Sequence, residues 1–149
     1  MRAMTTPNIV LDKTLYVAHA TAQGGRDGRV ASDDGKLDVV VNPPRELGGS
    51  GQGTNPEQLF AAGYAACFGS AVMHVARAQK ITTGPVHITA NVSFGPINGG
   101  QGFGLAVALV ASIPELAREQ AEALVHAAHQ VCPYSNATRG NLAVELSVA

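Results

Sequence analysis

The chain has 149 residues, 46% hydrophobic and only 14% charged, with a net charge of −1 and two cysteines. That length suits one domain with a real core, and the scattered lysines and arginines form no basic stripe, which argues against nucleic acid or an anionic membrane as partner. A typical domain carries about 25% charged residues, so charge this sparse points to an oligomer that hides part of an apolar surface.

Residues 1–10 hold no apolar run followed by a small-residue cleavage site. They do not read as a signal peptide, so the cytoplasm is the expected location. In a reducing cytosol two cysteines do not suggest a structural disulfide, and if they pair, a transient, catalytic bond is the expectation. Residues 15–22 alternate loosely and end in Gly24-Gly25-Arg26-Asp27-Gly28, a strong turn signal. Short strands are expected at 29–32 and 36–41, separated by Asp33-Asp34-Gly35, giving an antiparallel meander. Residues 42–55 carry two prolines and several glycines without periodicity, a long loop of the kind that tends to be functional.

A helix is expected from Asn55 to about Gln79, with Asn55 as N-cap, Pro56 in the first position and Glu57 complementing the helix dipole. Residues 59–76 contain no Asp, Glu, Lys or Arg, which reaches the roughly 18-residue threshold for a membrane span. Their content is mostly Ala and Gly, so a soluble-protein helix buried on nearly all sides fits better. An alternating run at 86–94, a glycine-rich turn at 95–104 and a second run at 105–111 predict a hairpin. Pro114 is expected to open a second helix that stops before Pro133, and a last strand covers 142–148. The order βββ–α–ββ–α–β predicts a single α+β domain, 1–149, with antiparallel sheet; residues 1–13 are expected as an N-terminal arm.

Cys67 lies mid-helix among apolar neighbours, which raise a thiol's pKa. If it reacts, a cation must come from elsewhere in the chain. Cys132 stands where Pro133 breaks the helix, and a thiol there moves more easily than one inside a helix. Spacing alone does not show that the two sulfurs meet. His126, His129 and Cys132 lack the partners a four-ligand zinc site needs, no phosphate- or dinucleotide-loop spacing occurs, and neither metal nor bound cofactor is expected. His74 shares the face of Cys67, but a packed core histidine is the reading, and at about 10 Å along the helix it cannot serve Cys67 as a hydrolase base. A sensor that oxidises once without turnover stays open on the cysteines alone.

Residues 53–68, GTNPEQLFAAGYAACF, closely resemble the first cysteine motif of the organic hydroperoxide resistance proteins within the OsmC/Ohr family, and residues 131–141, VCPYSNATRGN, resemble their second. Gly24-Gly25-Arg26-Asp27-Gly28 and Gly102-Phe103-Gly104-Leu105 also match. The resemblance implies an OsmC-like α+β fold, antiparallel sheet wrapped around two central helices, in an intertwined homodimer with two active sites at the subunit interface. It implies reduction of alkyl and fatty-acid hydroperoxides to alcohols as part of the oxidative stress response, with recycling by dihydrolipoyl groups on lipoylated proteins. By motif position Cys67 would be the peroxidatic cysteine, Cys132 the resolving one, Arg26 the catalytic arginine and Glu57 the carboxylate that orients it. Arg29 is a nearby rival for Arg26. Glu57 and Cys67 are about 15 Å apart along one helix, so either Arg26 bridges most of that gap within a subunit or, the favoured expectation, the Arg26–Glu57 pair reaches the thiol across the dimer interface. Phe60, Phe103 and Tyr134 are the aromatic candidates for an apolar substrate pocket, with the 42–55 loop as its lid.

Overall fold

The computed structural model describes residues 8–149, and the chain falls into two compact units, Met1–Gly53 and Thr54–Ala149. Part of the expected N-terminal arm therefore lies outside the described residues, and 8–13 form no helix or strand.

The first unit is a three-stranded antiparallel meander, β1 (Ala20–Gln23), β2 (Gly28–Ser32) and β3 (Asp38–Val41), in the order β1-β2-β3. The strand expected at 15–22 begins only at Ala20. Ala20 already pairs with Ser32, the last residue of β2; beyond it only the His19 carbonyl still accepts a backbone bond, from the Asp33 N–H at 3.1 Å, and Leu15 and Tyr16 stand exposed. The β1–β2 turn needs its glycines. Gly24 and Gly25 sit at φ 83° and 60°, where a side chain is strained, and a Cβ on Gly28 would fall 1.9 Å from the Gln23 carbonyl oxygen. After β3 the long loop contains one short 3-10 turn, Arg45–Leu47.

The second unit holds α1 (Pro56–Ala78), the hairpin β4 (His87–Ile97) and β5 (Gly102–Ser112), α2 (Arg118–Val131), α3 (Pro133–Thr138) and β6 (Val144–Val148). Asn55 caps α1 as expected, its side chain accepting the Gln58 N–H at 2.9 Å, with Pro56 in the first turn. Although α1 is long and apolar enough to cross a membrane, one face of it packs as the core of this unit. Tyr64, Phe68 and Val72 are fully buried, joined by Val107, Leu109, Ala121, Val125, Ala128 and Cys132. The expectation of burial on nearly all sides fails: Ala62, Ala66, Ser70 and Met73 are exposed, because β4 and α2 cover only one side of the helix in a single chain.

In β4 the alternating residues Ile88, Ala90, Val92 and Phe94 face inward while Thr89, Asn91 and Ser93 are exposed, the period-2 pattern read in the sequence. The turn is tighter than expected. Gly95 pairs with Gly104 and Ile97 with Gly102, since glycine keeps both ladder groups, and only 98–101 reverse the chain. α2 starts at Arg118, after a turn in which the Leu116 N–H bonds the Ile113 carbonyl. α3 was not expected: the proline that ends α2 also supplies the first position of a new helix. The sheet departs from a purely antiparallel one at its edge. β6 runs parallel to β5, because α2 carries the chain back across the sheet before it re-enters.

Candidate active site

Cys67 is held in the middle of α1, half-buried; Cys132 is fully buried at the junction where α2 stops and α3 begins. Both are free thiols, and their sulfurs lie 3.5 Å apart. The structure thus joins residues 65 positions apart in sequence. Burial is the chief influence on Cys67 and raises its pKa. The backbone N–H of Tyr134 opposes this by donating to the sulfur, and Cys132 raises it further by competing for the shared proton.

Residues of α3 and α1 frame an open apolar groove of about 480 Å³ lined by Phe60, Leu105, Pro133, Tyr134, Ala137 and Leu142, among others; neither cysteine lines it, but Pro133 and Tyr134 directly follow Cys132. Phe60 and Tyr134 meet edge to face with ring centroids 6.0 Å apart, and Tyr134 lies 5.6 Å from Tyr64. Gly63 lets this happen: a Cβ there would stand 2.6 Å from the Tyr134 hydroxyl. Two of the three expected pocket aromatics are therefore together. Phe103 is not with them. It stacks on Phe94 at 5.2 Å, 69% exposed, and does not line this groove.

Arg26 sits exposed in the β1–β2 turn of the first unit. The turn is braced on both sides, by the Asp27 N–H to the Gly24 carbonyl at 3.1 Å and by the Asn42 amide donating to Asp27 at 2.8 Å. Arg29, its rival, is already committed within that unit: it forms a two-pronged ion pair with Asp38, its Nε 2.6 Å from Oδ1, which holds the Asp38 carboxyl below its ordinary range. Glu57 is half-buried in the first turn of α1. His74 is not the packed core histidine expected; it is exposed, lining a second groove with Ala66, Gly69, Met73 and Arg77. Among the described residues no three His, Cys, Asp or Glu side chains gather as a metal site.

The sequence reading missed a buried polar cluster behind the thiols. The Tyr64 hydroxyl lies 2.8 Å from Ser135 Oγ and 3.2 Å from Thr138 Oγ1, and His129 Nδ1 is 2.8 Å from Ser135 Oγ. Its trace in the sequence was the spacing of Cys132, Ser135 and Thr138, three apart, which stacks them on one helical face.

The OsmC-like protein family matches residues 49–147, two thirds of the chain. The chain belongs to that family. Within it, the organic hydroperoxide resistance protein of Xanthomonas axonopodis pv. citri is 54% identical over 93% of this chain and 97% of its own length. The protein OhrB of Bacillus subtilis is 49% identical over 90% of this chain and 98% of its own. The crystal structure of an organic hydroperoxide resistance protein from Legionella pneumophila superimposes with a TM-score of 0.88 at 56% identity, covering 92% of this chain and 99% of the other. The match at this level spans the first unit as well as the second, so the meander carrying Arg26 is part of the family fold.

Proposed function

We propose that this protein reduces organic hydroperoxides to alcohols in defence against oxidative stress, with Cys67 as the attacking thiolate and Cys132 as its disulfide partner. One observation carries the reading: two free sulfurs 3.5 Å apart, one on a rigid helix and one at a helix break, with the two residues after Cys132, Pro133 and Tyr134, lining an apolar groove. The relatives' names, organic hydroperoxide resistance, supply the substrate class.

In the first step the Cys67 thiolate attacks the terminal peroxide oxygen. The O–O bond breaks, the alkoxide takes a proton and leaves as alcohol, and Cys67 becomes a sulfenic acid. In the second, the Cys132 sulfur attacks the sulfenic sulfur and water leaves, closing a disulfide. A dithiol then returns both thiols by exchange and is itself oxidised to a cyclic disulfide; dihydrolipoyl groups on a lipoylated protein suit this role. Because burial pushes the Cys67 thiol further above its ordinary range, forming the attacking thiolate calls for a fixed positive charge. Arg26 is the candidate, permanently charged and able to stabilise the breaking O–O bond through its fork, with Glu57 fixing that fork. Phe60 and Tyr134 would receive the alkyl chain. The exposed apolar face of α1, with Ala62, Ala66 and Met73, supports a homodimer as the working form, and a cytosolic dithiol pool suits its chemistry.

Steady consumption of cumene hydroperoxide with dihydrolipoamide tests the proposal. Cys67→Ser should abolish it, and Cys132→Ser should permit one turnover before stalling. A wild-type protein that oxidises once and does not recycle, or a Cys67→Ser variant that still turns over, would overturn it.

A further inference from the structure

The cluster behind the thiols has only one arrangement of its protons that makes hydrogen bonds of all four of its contacts. Thr138 Oγ1 donates to the Ser135 carbonyl at 3.2 Å, so its single proton is spent. Its contact with Tyr64 at 3.2 Å must then run from the tyrosine to the threonine. That spends the tyrosine proton, so across the 2.8 Å contact Ser135 donates to Tyr64. Ser135 Oγ can now only accept from His129, across the remaining 2.8 Å contact. The direction of the whole chain is fixed: His129 Nδ1–H to Ser135, to Tyr64, to Thr138, and back to the backbone of α3.

This chain ties three elements. His129 lies in the last turn of α2, Ser135 and Thr138 in α3, and Tyr64 on α1, three residues before Cys67. Tyr64 and Ser135 are fully inaccessible, with Thr138 at 5%. On the outer side Arg139 completes the brace by donating to the His129 carbonyl and, at 2.8 Å, to Asn136. Between the tied ends stands Cys132.

We infer that the His129–Ser135–Tyr64–Thr138 chain is a positioning element that holds the Cys132 segment against Cys67 and so sets how fast the disulfide closes. The inference rests on the proposed peroxidase cycle. There the sulfenic acid has two fates: Cys132 condenses with it and water leaves, or a second hydroperoxide oxidises it to sulfinic acid and leaves as alcohol. A loosened Cys132 loses that competition without altering the first attack. His129 and Ser135 line neither the groove nor the sulfurs in this scheme and act through the placement of Cys132, whereas Thr138 also lines the groove and is left unchanged in the test.

The test compares Ser135→Ala, His129→Leu and His129→Asn, the last keeping an N–H donor close to the Nδ1 position. Mass spectrometry after hydroperoxide titration reads the ratio of sulfinic acid to disulfide. Ser135→Ala and His129→Leu should raise that ratio roughly tenfold, as befits the loss of one buried hydrogen bond, with the rate of alcohol release in the first turnover unchanged, and His129→Asn should restore it. Nitrogen NMR of the reduced protein should find His129 with its proton on Nδ1. A wild-type ratio in both deletion variants, or a neutral His129 protonated on Nε2, overturns the inference. Diamide, an azo compound that takes two hydrogens from a dithiol and becomes a hydrazine, closes the disulfide without peroxide. Should the wild type fail to consume hydroperoxide, the proposed function falls, and the diamide closure rates of the same variants, slower or unchanged, still decide the positioning role.

Discussion

Tyr64→Phe isolates one oxygen atom. The ring stays, so the edge-to-face contact with Phe60 at 6.1 Å and the packing on Phe68 at 6.4 Å persist, and the space vacated is too small to hold water. What changes is the hydrogen-bond inventory. Ser135 loses the acceptor of its hydroxyl proton and Thr138 loses its incoming donor, both in side chains at 5% exposure or less. A buried group stripped of its partner costs about 1–3 kcal/mol. At about 2–4 °C per kcal/mol for a chain of this size, the melting temperature should drop by between about 2 and 12 °C. Removing the partner as well relieves part of the loss, because the two oxygens then vanish together. In a double-mutant cycle with Ser135→Ala the two losses should fall short of additive by at least about 0.5 kcal/mol. Urea denaturation with a constant m-value supplies the four free energies. A Tyr64→Phe variant within about 0.5 kcal/mol of wild type, the range of an ordinary surface change, would refute the chain as a buried, satisfied network.

Three further outcomes follow from the site. Gly63→Ala should leave stability nearly unchanged, since a gain of about 1 kcal/mol in helix propensity offsets the looser aromatic packing that results when the new Cβ, 2.6 Å from the Tyr134 hydroxyl, displaces that ring; the groove should nonetheless suffer, with kcat/KM for cumene hydroperoxide falling more than for tert-butyl hydroperoxide, and equal losses would count against the groove as substrate site. Arg26→Met should move the pH profile of Cys67 alkylation upward, because burial and Cys132 both favour the neutral thiol, and Arg26→Lys should move it less; an unshifted profile in Arg26→Met would remove Arg26 as the charge partner. His129 is held below its ordinary range by burial, then by the charges of Arg139 and His126. The unfolded chain therefore binds the proton more readily, and stability should fall as pH drops below about 6.5; a His129→Asn variant should show a flatter decline between neutral pH and about pH 5, and an identical slope would show that His129 does not govern it.

The elements with local rules were legible in the sequence. α1 announced its start through Asn55 and Pro56, and β4 its faces through strict alternation of Ile88, Ala90, Val92 and Phe94. What failed depends on partners distant in the chain. The pairing of β6 beside β5, parallel where antiparallel was expected, is decided by how α2 returns across the sheet. The start of β1 is decided by where β2 ends. At the site, the two cysteines could be singled out, one by its helical position and one by the proline after it. Their approach to 3.5 Å could not, nor could the hydroxyl chain, because a tyrosine on one helix and a serine 71 positions later share no local pattern. Arg29 shows the reverse: it rivalled Arg26 until the register of β2 and β3 brought it to Asp38.

The two thiols differ in what holds them, and that difference bears on the chemistry. Closing a disulfide brings the sulfurs from 3.5 Å to about 2 Å, so one of them must travel. Cys67 is enclosed by turns of α1 on both sides, and shifting it would break several helical hydrogen bonds at once. Cys132 has extended backbone angles, φ −64° and ψ 123°, between a helix that ends with its N–H on the Ala128 carbonyl and one that begins with its own carbonyl on the Asn136 N–H. Because Pro133 carries no N–H, it adds no helical donor of its own at the joint, and a modest rotation there can swing the sulfur. Mobility at a joint would by itself scatter Cys132 over many positions and leave the sulfenic acid open to a second oxidant. The tie from α2 through Ser135 to Tyr64 of α1 limits that scatter to the side facing Cys67. In the proposed cycle this bond must close quickly and reopen each time, which calls for both the break and the tie, and the short segment VCPYS supplies the thiol, the proline and the serine within five consecutive residues.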